Sequence, residues 1–302
     1  MKWLPYIDLM SKRPAALKYT EFYQQLPDNW QKYLGKQNAE GNPRITAENF
    51  AAIREAGFKT VRIPVSWEDH MDENQIISEN WMKRVGEVVD MALAKDLYVI
   101  IDLHHEKWLD LKLENEDEIT EQLKTVWKQI AQYFSEYDDH LIFESMNEPR
   151  LCNSEYEWTS GTQELKAMVN RLNEAFVEVI RSTGERIIVS IHAYISYDFC
   201  QNEDGTAKWN DEGLDTEEKI SETFSLLNDL FIKRRIPVMI TEFGCKDKNN
   251  LEDCVAWTVY FTDQAKKNGI GYIWWDCGDY GLLNREENNW SYPEIVDVLT
   301  QK

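Results

Sequence analysis

Basic residues are scarce in this 302-residue sequence: 33 Lys and Arg stand against 54 Asp and Glu, a formal net charge of −21. Such a surface repels phosphate backbones and anionic bilayers, so nucleic acid and membranes are poor partners. Glycine and proline are few as well, 13 and 8, which argues against a long disordered or low-complexity tract. No apolar run approaches the ~18–20 residues of a membrane span. The N-terminus, MKWLPYIDLMSKRPAALKY, has Pro, Asp and Lys where a signal peptide needs a clean apolar stretch. If the protein is exported, its signal is therefore expected to have been removed already. The five cysteines, at 152, 200, 245, 254 and 277, are odd in number and irregularly spaced, with no C-x-x-C. Neither structural zinc nor a disulfide framework is indicated, and at least one thiol is free. There is no G-x-G-x-x-G and no G-x-x-x-x-G-K-[ST], so dinucleotide and nucleotide phosphate sites have nothing to rest on.

What is present is a globular composition, 43% hydrophobic, with 12 tryptophans. That is more indole than a core of this size needs, and exposed aromatic rings commonly stack on the apolar faces of sugars. From residue 45 onward, helical and strand patterns alternate. Thr46 can cap a helix that stops at Gly57, and TVRIPVSW follows as a β-branched run. SENWMKRVGEVVDMALAKD carries an apolar stripe at helical spacing, and LYVIIDLHH is apolar on both faces. The alternation continues through LIFESMNEP, RIIVSIHAY, PVMITEFG and GYIWWDCG as strands, with amphipathic segments between them and a last helix in YPEIVDVLTQ. Repeated strand–helix units with continuous apolar strands predict a parallel sheet covered on both faces. No linker interrupts the pattern, so one catalytic domain over 42–302 is expected, preceded by a mostly helical segment, 1–41, packed on it.

Polar residues cluster where the strands finish: Arg62 and Trp67, His104 and His105, Asn147 and Glu148, His192 and Tyr194, Glu242, and Trp274 to Asp276. In a (β/α)8 barrel those ends converge on one mouth, whereas in an open sheet only the ends beside a switch point meet. Six reactive strand ends favour an α/β barrel of the TIM type. Two of them, Glu148 and Glu242, are carboxylates following apolar strands. Glycoside hydrolysis needs such a pair, one to protonate the leaving oxygen and one to attack the anomeric carbon or activate water. The competing reading, a solvated loop acid, suits most Glu residues but not two that end buried strands. His104, His105 and Glu106 could suggest a metal, but no third ligand has zinc spacing. By strand alternation the two histidines point to opposite faces, and Glu144 shares a face with Glu148 at greater depth.

The segments RIPVSW, LHHE, FESMNEP, SIHAYISYDF, ITEFG and YIWWDCG…GLLNR, in this order, resemble the family five glycoside hydrolases, the large cellulase family, and most nearly its endo-β-1,4-glucanase branch. The resemblance implies a secreted retaining enzyme that hydrolyses cellulose-type or mixed-linkage β-glucan, with no metal and no cofactor. It implies Glu148 as general acid/base and Glu242 as nucleophile. Asn147 would bind the sugar 2-hydroxyl, and Arg62 would be the cation paired with the nucleophile. Tyr194 would touch that same carboxylate, His192 would lie near the acid/base, and His104 would line the −1 sugar site with His105 as a wall residue. Trp275 would form the stacking floor, with Trp274 as the alternative because the doublet leaves the register open. Other glycans handled by the same family, xyloglucan, mannan or xylan, are alternative substrates, and a catalytically impaired glucan-binding barrel is an alternative of another kind.

The chain departs from the family pattern in two places. Residues 1–41 lack the first strand of the G-x-N-L-G-N type, and RIIVSIHAY follows Gly184 at once, without the fifth strand and helix. Six strands are therefore expected, in an atypical or incomplete barrel whose gap is covered by the N-terminal segment, completed by a second copy of the chain, or absorbed by distortion of the barrel.

Overall fold

The computed structural model describes residues 45–157, 161–180, 188–210, 213 and 216–301. The expectations for residues 1–41, including their helices, lie outside the described residues. The described elements in chain order are α1 (Ala47–Ala56), β1 (Thr60–Ile63), α2 (Glu79–Leu93), β2 (Tyr98–Asp102), α3 (Glu116–Tyr133), β3 (Leu141–Glu144), α4 (Gln163–Ile180) and β4 (Val189–His192). There follow α5 (Tyr197–Cys200), α6 (Thr216–Leu230), β5 (Val238–Phe243), α7 (Leu251–Asn268), β6 (Gly271–Trp274), the short strands β7 (Leu283–Asn284) and β8 (Asn289–Trp290), and α8 (Pro293–Thr300). All six expected strands are present. Of the stretch between α4 and β4 only residue 188 is described, so the expectation of a missing fifth strand lies outside the described residues.

The chain divides into two compact units, one built on residues 63–180 and the other on residues 48–62 and 188–301. The first unit contains the neighbouring strands β2 and β3, and the last residue of β1, Ile63, falls within it. β2 and β3 are parallel, with Val99 opposite Leu141 and Asp102 opposite Glu144. β2 is buried along its last four residues, as its unbroken apolar run requires. The stripe on α2 buries Trp81, Val85, Val88, Val89 and Ala92, and α3 buries Ile119, Leu123, Val126, Trp127 and Ile130. Trp127 lies edge-on to Phe176 of α4 at 4.9 Å, tilts against Phe143 of β3 at 5.5 Å, and donates its indole N–H to the Ser145 carbonyl at 3.0 Å. A buried indole usually finds such an acceptor, since an unmet N–H costs free energy.

The second unit carries a parallel sheet in the order β4-β5-β6. Its core is an aromatic stack on Phe243, which lies flat on Phe261 of α7 at 4.5 Å with Trp257 and Trp274 around it. Phe224 of α6 meets Phe261 edge-on at 5.3 Å. Full burial of each such ring contributes about 2–3 kcal/mol. α7 stops at Gly269, whose left-handed φ of 65° any β-carbon would disfavour. α8 opens on Pro293 in the first turn, where a missing N–H costs no hydrogen bond. β7 and β8 form an antiparallel hairpin, Leu283 opposite Trp290.

One irregularity bears on the site. Along the β4–β5 pair Ile191 faces Ile240, but His192 faces Glu242, so the register slips past Thr241. A bulge of this kind re-aims the side chains that follow it, here placing a histidine beside a strand-end glutamate.

Candidate active site

In the second unit the candidate residues gather on Glu242, the fifth residue of β5. Its carboxylate is buried, and each oxygen has its own partners. Oε1 accepts the Tyr194 hydroxyl at 2.7 Å. Oε2 faces Arg62 Nη1 at 3.2 Å and His192 Nδ1 at 3.5 Å. The Arg62 side chain is only 2% exposed. Removing either partner from such a pair strands an uncompensated charge, so this pair holds its geometry tightly. Donors from two directions also fix the rotation of the carboxylate about its own axis. Trp274, with Nε1 donating to the Tyr280 carbonyl at 2.8 Å, is packed into the aromatic stack and buried. Trp275 is half-buried, its backbone N–H donating to the Phe243 carbonyl at 2.8 Å.

In the first unit His104 is 2% exposed. Its Nδ1 lies 2.8 Å from Asp102 Oδ2, and Asp102 Oδ1 accepts the Val65 N–H at 2.9 Å. The Asp102 carbonyl takes the Trp67 indole N–H at 2.9 Å, and the His104 carbonyl takes the Ser66 hydroxyl at 2.6 Å. His104 is thus locked from both its ring and its backbone, and the Asp102 contact selects its tautomer. β2 ends at Asp102 and His105 has a φ of 56°. Strand alternation therefore does not extend to the histidine pair: the two rings meet edge-to-face at 4.2 Å instead of pointing apart. Burial, aided by His104 and Arg150, pushes the His105 imidazole well below its usual range, so it stays neutral at neutral pH.

Glu148 lies four residues beyond the end of β3, with φ 40°. β3 itself stops at Glu144, which is buried, as expected of the deeper of the two acids. Asn147 donates its backbone N–H to the Leu103 carbonyl at 2.9 Å, which ties the loop carrying both residues to the end of β2. Glu148 Oε2 faces Arg150 Nη1 at 3.4 Å, and both side chains are partly exposed. The Arg150 carbonyl accepts the Leu111 N–H at 2.9 Å and Asp110 accepts the Cys152 N–H at 2.8 Å, which pins this loop to the one after β2.

Several residues that hold these positions were not anticipated. Asp102 could have been, because it sits two residues before His104 at the end of an apolar strand. Glu106 is buried and accepts N–H groups from Trp67, Glu68 and the Trp108 indole. Arg150 and Tyr280 carry no pattern that marks them in advance.

Strand–helix units whose parallel strands carry polar side chains at their ends, a buried and doubly held carboxylate in one unit and a glutamate-bearing loop in the other, define an α/β protein of the strand-end-site class. Comparison narrows this. The chain matches the family described as Cellulase (glycosyl hydrolase family 5) over residues 23–189 and 184–281. It belongs to glycosyl hydrolase family 5 and shares the (β/α)8-barrel fold class of that family. The two matched stretches meet between α4 and β4, where the sequence departs from the family pattern. Endoglucanase A of Clostridium longisporum is 38% identical over 300 residues, an alignment covering 86% of this chain and 58% of that protein. Endoglucanase B of Ruminococcus albus is 38% identical over 286 residues, covering 82% of this chain and 69% of that protein. The chain thus spans little more than half the length of the first of these relatives. Among solved structures, a GH5-4 broad specificity endoglucanase from Clostridium acetobutylicum superposes with a TM-score of 0.83 at 32% identity, covering 89% of this chain and 94% of that one.

Proposed function

We propose that this protein is a secreted, retaining endo-β-1,4-glucanase that cleaves β-1,4-linked or mixed-linkage β-glucan by double displacement. The observation that carries the reading is the Glu242 carboxylate, buried at the end of β5 with Tyr194 on one oxygen and Arg62 on the other, in a chain of a family whose sampled relatives are endoglucanases. In this reading Glu242 attacks the anomeric carbon. Glu148 protonates the departing oxygen and then takes a proton from the water that hydrolyses the glycosyl-enzyme. Asn147 binds the 2-hydroxyl, and His104, His105 and His192 line the −1 sugar. Arg62 and Tyr194 orient the nucleophile. Trp275 serves as the stacking floor, because Trp274 is buried with its indole N–H already engaged. No metal or cofactor takes part.

The substrate class follows the relatives. A xyloglucan-specific endo-β-1,4-glucanase of the family was solved with cellotriose, and a lichenase from Caldicellulosiruptor sp. with cellotetraose. A β-1,4-glucan backbone is common to these, so cellulose-type and mixed-linkage glucans stand first here and xyloglucan second. The test is release of reducing ends from barley β-glucan, carboxymethylcellulose, xyloglucan and mannan by the wild type, Glu148→Gln and Glu242→Gln. Each substitution is expected to lower the rate on β-glucan by ~10²–10⁴-fold or more. Activity close to wild type in either variant, or binding of β-glucan by the wild type without turnover, overturns the proposal.

A further inference from the structure

Tyr280 lies outside every motif named above, yet three segments around the Glu242 strand meet on it. Its ring lies edge-to-face with Tyr194, centroids 5.8 Å apart at 64°. Its hydroxyl donates to the Cys200 carbonyl at 3.0 Å, and the same carbonyl accepts the Lys246 N–H at 3.0 Å. Its own carbonyl accepts the Trp274 indole N–H. The preceding residue, Asp279, accepts the Asp247 N–H at 3.1 Å and meets Lys246 Nζ at 3.3 Å. The turn at 278–280 is therefore clamped to the segment that leaves β5, with the Tyr280 ring directed at Tyr194. Gly244, two residues after Glu242, makes room for it. A β-carbon there would sit 3.1 Å from Tyr280 Cδ1 and 3.4 Å from Trp274 Cε2, closer than the ring tolerates without moving.

We propose that Tyr280 is a positioning residue for the nucleophile, acting through Tyr194, and that Gly244 is side-chain-free so that the Tyr280 ring can take that place. The inference rests on the reading of Glu242 as nucleophile. The Tyr194 hydroxyl holds Glu242 Oε1, and the Tyr280 ring packs against one side of that phenol. Without that flank the phenol can rotate away, and the carboxylate loses its fixed orientation toward the anomeric carbon. Ring packing alone is the competing explanation. It predicts loss of stability with no change in the chemistry of the folded enzyme.

The experiment is inactivation by a 2-deoxy-2-fluorocellobioside with a dinitrophenolate leaving group. A carboxylate oxygen bonds to the anomeric carbon, the glycosidic C–O bond breaks, and the dinitrophenolate departs. The saturating inactivation rate and the half-saturating concentration are measured separately, and the labelled peptide is mapped. Wild type is expected to label at Glu242. Tyr280→Leu and Gly244→Ala are expected to inactivate about tenfold more slowly with the half-saturating concentration nearly unchanged, the pattern of a misplaced reacting group. Tyr280→Phe, which keeps the ring, recovers most of the rate. Tyr280→Leu adds nothing further in a Tyr194→Phe background. Wild-type labelling at another residue overturns the functional reading and the inference with it. Labelling at Glu242 with wild-type rates in both Tyr280→Leu and Gly244→Ala overturns the inference alone. If Tyr280→Leu does not fold, Gly244→Ala, which keeps the ring and only displaces it, decides.

Discussion

Glu106 offers a sharp test of how burial and hydrogen bonding compete in this protein. The residue is 7% exposed, and its carboxyl receives the Trp67 N–H at 2.6 Å, the Glu68 N–H at 2.9 Å and the Trp108 indole N–H at 3.0 Å. Three donors favour the ionised form; burial and the nearby charge of Glu68 oppose it. Burial is the larger effect, and the carboxyl is pushed up from 4.5 to about 8. Between those values the folded chain holds a proton that the unfolded chain has released. Stability therefore falls as pH rises, by about 1.4 kcal/mol per pH unit. The contribution is fully present below pH 4.5 and gone above pH 8, a loss of order 5 kcal/mol across the window. Glu106→Gln replaces the neutral acid by a neutral group of equal size and removes the titration. Urea unfolding of wild type and variant at pH 5, 6.5, 8 and 9 measures the difference. The Gln amide nitrogen cannot accept, so the variant carries a pH-independent penalty for the donor left facing it; on top of that offset it should gain on wild type by several kcal/mol between pH 5 and pH 9. If the three donors prevail, Glu106 is ionised throughout, the variant is weaker at every pH above 5, and the two curves run parallel. That result refutes the reasoning.

Other consequences are more local. Phe243→Ala removes the centre of the aromatic stack and should cost about 3–5 kcal/mol in denaturant unfolding. Asp102→Asn keeps the shape beside His104 but removes the carboxylate that selects its tautomer; turnover should fall while the thermal midpoint moves little, measured by β-glucan kinetics and a melt on the same preparation. His105 should remain neutral below pH 6.5, because burial opposes its charge; its imidazole resonances, followed by NMR as the pH is lowered from 7.5, should begin to move only well below 6.5, and a midpoint near 6.5 contradicts that reasoning.

The strands and their order along the chain were legible because a parallel strand covered on both faces must be an unbroken apolar run, and YVIID and VMITEF are such runs. The helix stops at Gly57 and Gly269 were legible for an equally local reason, since both have positive φ. The β7–β8 hairpin was not. Two-residue strands such as Leu283–Asn284 have no room to show alternation. The carboxylate anchors were not legible either. Asp102 reaches Val65 across 37 residues and Glu106 reaches Trp67 across 39. Periodicity reports which face of an element is buried, and carries nothing about which acid caps which distant amide.

The residues named from the sequence lie at or just past the ends of the strands, yet strand alternation misjudged how His104 and His105 point, and one physical fact accounts for both observations. Backbone pairing continues past several named strands. The His104 N–H reaches the Val65 carbonyl and Asn147 reaches Leu103; in the other unit Ala193 reaches Glu242 and Trp275 reaches Phe243. Each of these bonds holds a residue in or next to a motif as a strand residue would be held, so position along the chain predicted position at the strand end. The side chains are free of the pleat there. His105 and Glu148 both adopt positive φ immediately after such a bond, a conformation that reverses the direction alternation would assign. Backbone anchoring with released side chains lets a sheet of ordinary geometry point neighbouring residues in directions a regular strand cannot. A single sequence can show where that release occurs, from the point at which an apolar run gives way to Asn-Glu or His-His. The direction taken afterwards depends on contacts such as those of Asp102, Glu106 and Arg150, which come from other segments of the chain.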